Sequence, residues 1–240
     1  LLEVYLKSRD KTYQGYLALA TLAACGYGLV RGWNRELSFF QGSLHFDNFG
    51  VLLGTLLTLA VAFVILLSLR YIPLAGLNIG EYYPLLLFAL AGLLIMVSSP
   101  SLLVIFLGLE VLSVSSYALA GLRLKEERST EAALKYFLLG SFASAIFVFG
   151  LALTFGASGS LELSSLAASL RPGSENALLG LAGLAFILAG LAFKIAFVPF
   201  HMWTPDVYQG SPLPVAAFFS VGPKAVGFAV LLRLLLPHGR

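Results

Sequence analysis

Seven long apolar runs constrain this chain more than any other feature. They cover residues 13–30, 48–69, 82–98, 101–122, 130–156, 176–198 and 213–236. A helix needs about 20 apolar residues to cross a hydrocarbon layer of about 30 Å, and most of these runs have that length. Only 11% of the residues are charged, whereas a soluble domain carries about 25%. The sequence therefore predicts an all-α, polytopic transmembrane helix bundle with about seven spans.

The sixth span is predicted to be a broken helix. Its apolar pattern runs on past residue 198, so we take the whole span as residues 176–209. Pro199 lacks a backbone donor and should interrupt the helix near residue 199. Irregular backbone at membrane depth is tolerated where protein or a water-filled cavity surrounds it, and broken helices recur at transport sites.

Basic residues predict the orientation of the bundle. If the spans alternate, one side holds Lys7, Arg9, Lys11, Arg70, Arg123, Lys125 and Arg128, and the other holds Arg31, Arg35, Arg171 and Arg240. The first side is then cytoplasmic, because Lys and Arg near span ends concentrate there. The net charge of +3 is small, which argues against nucleic acid as a partner and leaves the lipid bilayer as the environment.

Four charged residues fall inside the predicted spans: Glu110, Lys135, Lys194 and Lys224. A charge at the centre of a bilayer costs about 2.5–3.5 kcal/mol on insertion scales, so each is a candidate functional residue. The alternative for Glu110, Lys194 and Lys224 is structural hydrogen bonding or pairing. Lys135 lies only about one turn inside its span, where it could also extend to the interface.

Further polar residues extend this set. Ser113 and Tyr117 share a helical face with Glu110. His201 suits proton relay near neutral pH, although a simple hydrogen-bonded role is equally consistent. Asp206 is interpreted as a loop or cap residue.

The mixture of buried Lys and Glu favours proton transfer. Burial favours the neutral form of a lysine, whereas a nearby carboxylate favours the charged form. If Glu110 approaches or leaves Lys194, the coupling between them changes which group holds the proton. The sequence has no Gly-rich phosphate loop, paired His ligands or Cys cluster, so we expect no cofactor, metal or redox centre in this chain.

Long motifs resemble a known family. They read EAALKYFLLG at 131–140, FKIAFVPFHMWTPDVYQGSP at 193–212 and SVGPK at 220–224. These stretches resemble the subunit N family of NADH-quinone oxidoreductase, the respiratory complex I, whose members are antiporter-like membrane subunits. The resemblance covers nearly all of residues 1–240, which we take as one partial antiporter-like domain.

The resemblance implies a proton-translocating subunit in which Glu110 modulates Lys194 through a charge pair. It also implies that Lys135, Lys194, His201 and Lys224 form a water-linked proton path. The implied partners are other membrane subunits of complex I. NADH, FMN, iron–sulfur clusters and quinone are assigned to partner subunits, where quinone reduction drives translocation, and the implied location is the bacterial inner (plasma) membrane.

The resemblance further implies a longer protein built from two inverted repeats, of which this chain matches the first. The chain begins at Leu1 without a signal-peptide pattern, and we expect the initial span of the family to be missing from it. We expect a second repeat with its own buried lysine beyond Arg240.

Two other functions remain open on the sequence. One is a subunit of a multi-subunit cation/proton antiporter without redox coupling, which shares the Glu and Lys layout. The motif around Lys135 favours complex I over that alternative. The other is a non-conducting structural membrane subunit whose buried charges only pair with each other.

Overall fold

The computed structural model describes residues 11–77, 79–171 and 174–235. Within these residues, nine helices are α1 (Thr12–Arg31), α2 (Asn48–Leu74), α3 (Tyr82–Ser98), α4 (Leu102–Ala120), α5 (Glu127–Ser158), α6 (Leu163–Ser169), α7 (Ala177–Lys194), α8 (Thr204–Gly210) and α9 (Leu213–Leu235). An antiparallel hairpin of β1 (Leu37–Phe39) and β2 (Leu44–Phe46) joins α1 to α2. The predicted all-α transmembrane bundle is confirmed, and this short hairpin is an addition that the sequence did not predict.

The helices have the dimensions of membrane spans. Within the described residues, α2, α4, α5, α7 and α9 are long and apolar enough to cross a bilayer, and α3 is a shorter apolar helix of 17 residues. Helix α1 has 20 residues and packs against α2. Helices α7 and α8 are separated by residues 195–203, which are not helical, so the sixth span is interrupted.

One end of the bundle, here called the hairpin end, gathers the connections that follow α1, α3 and α5. The Ser99 hydroxyl donates a hydrogen bond of 2.9 Å to the carbonyl of Ser43 in the hairpin turn. The Leu102 amide donates to the Leu161 carbonyl at 2.8 Å, which joins the start of α4 to the segment after α5. These contacts put successive helices in alternating directions.

The opposite end, here called the basic end, gathers the end of α2 and the connection between α4 and α5. The Arg123 guanidinium donates to the Tyr71 hydroxyl at 2.6 Å and forms a 3.1 Å ion pair with Glu126. Arg70 lies in the same last turns of α2 as Tyr71. Lys7, Arg9 and Arg240, which entered the orientation prediction, lie outside the described residues.

Small residues bring α5 and α7 into close contact. A methyl group at Gly150 would lie 2.8 Å from the backbone nitrogen of Ile187, and one at Gly190 would lie 2.8 Å from the Cβ of Phe147. Without a hydrophobic driving force between helices in lipid, such close backbone approach is a main source of association. The contact fixes the position of α7, which carries Lys194.

A partly buried ion pair closes the hairpin end between α2 and α9. Arg233, in the last turn of α9, donates to Asp47 Oδ1 at 2.6 Å, and the Gly50 amide donates to the same oxygen at 2.8 Å. Asp47 thereby caps the N-terminus of α2. Partial burial alone would raise the pKa of Asp47, but the hydrogen bonds from Arg233 and Gly50 and the charge of Arg233 hold it below its ordinary value of 3.8.

We expect Asp47→Asn to lower the melting temperature of the detergent-solubilised protein at pH 7. The loss should be on the order of 1–3 kcal/mol, typical of a hydrogen bond to a charged group. Because the folded pKa is depressed, the ion pair stabilises the protein above the unfolded pKa of about 3.9 and is lost as pH falls through the folded pKa. The difference between wild type and variant should therefore shrink below about pH 3.9, and a difference that grows with acidity would contradict this account.

We also expect the basic end to face the cytoplasm. Cys25 is the single cysteine, so Cys25→Ala gives a background for Lys125→Cys at the basic end and Glu175→Cys at the hairpin end, both exposed positions. In intact cells, a membrane-impermeant maleimide should modify Glu175→Cys, and Lys125→Cys should react only after permeabilisation. The reverse labelling pattern would invert the orientation.

Candidate functional site

The candidate site begins where α7 ends. Lys194 is its last residue, and the amides of Ala196 and Phe197 donate back to the carbonyls of Phe193 and Ala192 at 3.1 and 2.8 Å. This is the Schellman arrangement, which requires a left-handed residue after the helix. Ala196 fills that role with φ 57°, a conformation that usually selects glycine.

The Lys194 ammonium lies inside the bundle, where the residue is 3% exposed. Its Nζ donates to the Ser113 hydroxyl oxygen at 2.8 Å, and the Tyr136 hydroxyl lies 3.5 Å away. The ring centroids of Tyr136 and Tyr117 are 5.4 and 5.9 Å from Nζ. A hydroxyl and two aromatic faces therefore solvate this cation.

Glu110 is near this ammonium but is not bonded to it. The Ser144 hydroxyl, on α5, donates to Glu110 Oε1 at 2.5 Å. Neither residue appears in an ion pair with the other in the described chain, although the carboxylate acts electrostatically on Lys194. Each of the two groups is thus bonded to a serine and not to the other, and the modulation of Lys194 by Glu110 stays a prediction.

A small cavity lies beside Lys194 and Ser144, the serine that bonds to Glu110. It has a volume of about 10 Å³ and is enclosed by residues of α4, α5 and α7, among them Ser113, Tyr117, Ser144 and Lys194. Glu110 lines a separate, open groove of about 450 Å³, together with Leu85 and Phe88 of α3.

A continuous run of aromatic rings connects Lys194 to Lys224. The Trp203 ring stacks on Tyr136 with centroids 4.4 Å apart and planes 7° from parallel, and its Nε1 donates to the Phe193 carbonyl at 3.1 Å. Tyr208 meets the edge of Trp203 at 6.5 Å, and the half-buried Lys224 lies over Tyr208 with Nζ 5.5 Å from the ring centroid.

Three hydroxyls near α8 have no hydrogen-bond partner within the described residues. They belong to Thr204, Tyr208 and Ser211, and each oxygen is buried. Buried polar groups of this kind are usually satisfied by ordered water. The region beside Lys224 is therefore polar on the side that faces α8.

Lys135 occupies a different environment. Its side chain is 41% exposed and forms ion pairs of 2.6 Å with both Glu131 and Asp206. Asp206 lies in the first turn of α8, so the pair ties α5 to α8 at the basic end. A pocket of about 150 Å³ lined by Arg128, Glu131 and Asp206 opens beside it. The structure does not bring Lys135 into contact with Lys194.

His201 lies in the interrupted segment between α7 and α8. It is exposed, and its side chain forms no hydrogen bond or ion pair with another described residue. Within the described residues, no group of three or more His, Cys, Asp or Glu side chains could hold a metal ion. The candidate site is therefore built from Glu110, Lys194 and Lys224 together with hydroxyl and aromatic groups.

Sequence reasoning missed Ser144. It found Ser113 and Tyr117 because both follow Glu110 on one helical face, whereas Ser144 reaches Glu110 from another helix. Nothing in the spacing of residues around Ser144 distinguishes it from Ser141, whose hydroxyl bonds to its own helix.

The sequence of this chain is similar to those of known membrane proteins. Residues 99–239 match a family described as NADH:quinone oxidoreductase/Mrp antiporter, transmembrane. The chain is 42% identical over 238 residues to NADH-quinone oxidoreductase subunit N of Trichlorobacter lovleyi, and the match covers 98% of this chain and 49% of that protein. The chain thus spans about half the length of this relative.

Solved structures show the same architecture. In respiratory complex I from Thermus thermophilus with bound aureothin, one chain is 37% identical, with a TM-score of 0.83 over 98% of this chain and 50% of that chain. In the Mrp complex from Dietzia sp. DQ12-45-1b, the identity is 21% and the TM-score 0.79, over 97% of this chain and 45% of that chain. The second likeness concerns the fold alone.

We expect Lys194→Met to melt at or above the wild-type temperature in detergent. An ammonium buried without a paired carboxylate is costly, and Met fills a similar volume without that cost. The contrasting variant is Arg233→Met, which leaves Asp47 unpaired and should lower stability by on the order of 3 kcal/mol. A loss at Lys194→Met as large as that at Arg233→Met would identify Lys194 as a structural cation.

Proposed function

Because this chain belongs to the NADH:quinone oxidoreductase/Mrp antiporter transmembrane family, we propose that it forms about half of a proton-translocating membrane subunit of NADH-quinone oxidoreductase. The observation that carries the proposal is the burial of Lys194, a cation held by a hydroxyl and aromatic rings instead of a carboxylate. An ionisable group kept at such a position marks an ion pathway by default.

The environment of Lys194 suits reversible protonation. Burial of a lysine favours the neutral amine, and a carboxylate nearby, such as that of Glu110, favours the ammonium. A small displacement of Glu110 towards or away from Lys194 therefore changes the proton affinity of the amine. Opening the pair releases a proton, and closing it binds one.

We propose that Lys224 is the next residue after Lys194 to carry the proton. The unpartnered hydroxyls of Thr204, Tyr208 and Ser211 line the region between α8 and α9, where water would complete their hydrogen bonds. The aromatic rings of Tyr136 and Trp203 separate this region from Lys194, so passage between the two lysines depends on their movement. The exposed Lys135 and His201 would deliver protons from the solvent side.

The redox chemistry is proposed to occur in partner subunits. NADH, FMN, iron–sulfur clusters and quinone would be bound there, and quinone reduction would drive the displacement of Glu110 and Lys194. The chain is a multi-pass membrane protein, and we propose the bacterial plasma membrane as its location and other membrane subunits of complex I as its partners.

A cation/proton antiporter subunit is the second candidate, since the fold also matches a chain of the Mrp complex. The higher identity to the complex I chain, 37% against 21%, favours coupling to quinone reduction. Copurification of the full-length subunit with quinone-reducing subunits would decide between the two.

We expect Glu110→Ala, Lys194→Ala and Lys224→Ala in the full-length subunit to lower proton pumping and coupled NADH oxidation while the complex still assembles. Loss of a proton-transferring group typically costs about 10²-fold or more in the step it serves. Pumping is measured with a pH-sensitive dye in inside-out vesicles, and assembly by native electrophoresis. Lys125→Ala, an exposed change at the basic end, is the matched control.

Normal pumping in both Glu110→Ala and Lys194→Ala would remove the pair from the mechanism. Unchanged pumping in Lys224→Ala as well would leave a non-conducting structural subunit as the better account.

A further inference from the structure

Ser144 departs from the pattern of the other serines near the site. The hydroxyls of Ser113, Ser116 and Ser141 each donate to the carbonyl four residues earlier in their own helix. Ser144 donates instead across the bundle, from α5 to Glu110 Oε1 on α4, at 2.5 Å. A bond this short is characteristic of a hydroxyl that donates to a carboxylate.

Ser144 also faces the cavity that Lys194 lines from the other side. A cavity of about 10–15 Å³ is the smallest that holds a water molecule, and a buried water needs two to four polar partners. This cavity has about that volume, and Ser144, Ser113 and Lys194 are among the residues that line it. An ammonium has three donors, so Lys194 can donate to Ser113 and to a water at the same time.

The opposite side of Glu110 offers no comparable route. There the carboxyl lines a groove with Leu85, Phe88, Val111 and Val114, whose side chains are apolar, and with Ser115, whose hydroxyl donates to a carbonyl of its own helix. Among the described residues, Ser144 is the side chain that hydrogen-bonds to Glu110. A proton that moves between Glu110 and Lys194 therefore has a polar path on the Ser144 side.

We propose that Ser144 is the hydroxyl through which a proton passes between Lys194 and Glu110, with one water in the cavity. The Lys194 ammonium gives a proton to the water, the water gives a proton to Ser144 Oγ, and Ser144 gives its own hydroxyl proton to Glu110 Oε1. Lys194 becomes a neutral amine and Glu110 a carboxylic acid, while the water and the serine are both regenerated. This relay rests on the proposed function and explains how the two groups exchange a proton without an ion pair.

The test compares Ser144→Thr with Ser144→Val in the full-length subunit within the assembled complex. Thr and Val have nearly the same shape, so both disturb the packing of α5 equally and only Thr keeps the hydroxyl. We expect Ser144→Val to lower proton pumping by about tenfold, the change that corresponds to losing a hydrogen bond to a charged group. Proton pumping by the Ser144→Thr variant should stay within about twofold of the wild-type rate.

Ser141→Ala is the matched control, because its hydroxyl bonds within its own helix and the residue is exposed. It should pump as wild type. Equal pumping in the Thr and Val variants, whether normal or reduced, would overturn the relay. If Glu110→Ala lowers pumping in the same series, that outcome removes the relay alone. Normal pumping in Glu110→Ala, Lys194→Ala and Lys224→Ala together would remove the proposed function as well.

Infrared difference spectroscopy gives a readout besides activity. The C=O stretch of protonated Glu110, assigned by its loss in Glu110→Gln, should shift to higher frequency in Ser144→Val and remain near the wild-type frequency in Ser144→Thr. An unshifted band in Ser144→Val would show that the hydroxyl does not bond to Glu110, and it would overturn the relay even if pumping fell.

Discussion

The position of the Lys194 ammonium at the C-terminal end of a transmembrane helix is the constraint on which the surrounding structure depends. The end of a helix carries roughly half a negative charge, which favours a cation there. The interruption after α7 creates that end inside the bundle, and the Trp203 ring N–H helps to satisfy the Phe193 carbonyl that it exposes. Ser113 and the rings of Tyr117 and Tyr136 then complete the environment of the cation.

Much of the fold could be predicted because lipid imposes simple rules on sequence. The long apolar runs predicted the helical bundle. The charged residues within those runs made Glu110, Lys194 and Lys224 candidate functional residues. The place where α7 stops was less predictable. Pro199 suggested a break near residue 199, whereas the helix ends at Lys194 because Ala196 adopts a left-handed conformation. Without a glycine at that position, the sequence carries no local signal for the turn.

The rest of the candidate site depends on contacts between helices, which a single sequence does not encode. Lys135 lies about one turn inside a predicted span, and in the structure its side chain is 41% exposed and is bound by two carboxylates. The sequence did not distinguish the role of Ser144 from that of Ser141. The hydrogen-bond partner of a serine in a helix depends on how that helix is rotated about its axis, which the sequence does not state. The small residues that pack α5 against α7 determine that rotation.

The ion pair between Arg233 and Asp47 has a mechanical consequence for α9. It pins one extremity of that helix to the start of α2, while Lys224 lies nine residues earlier, about 14 Å along the axis. Pro223, directly before Lys224, removes a backbone hydrogen bond within the helix. Helix α9 is therefore anchored at its C-terminal end and lacks one internal hydrogen bond beside the lysine that lies over Tyr208.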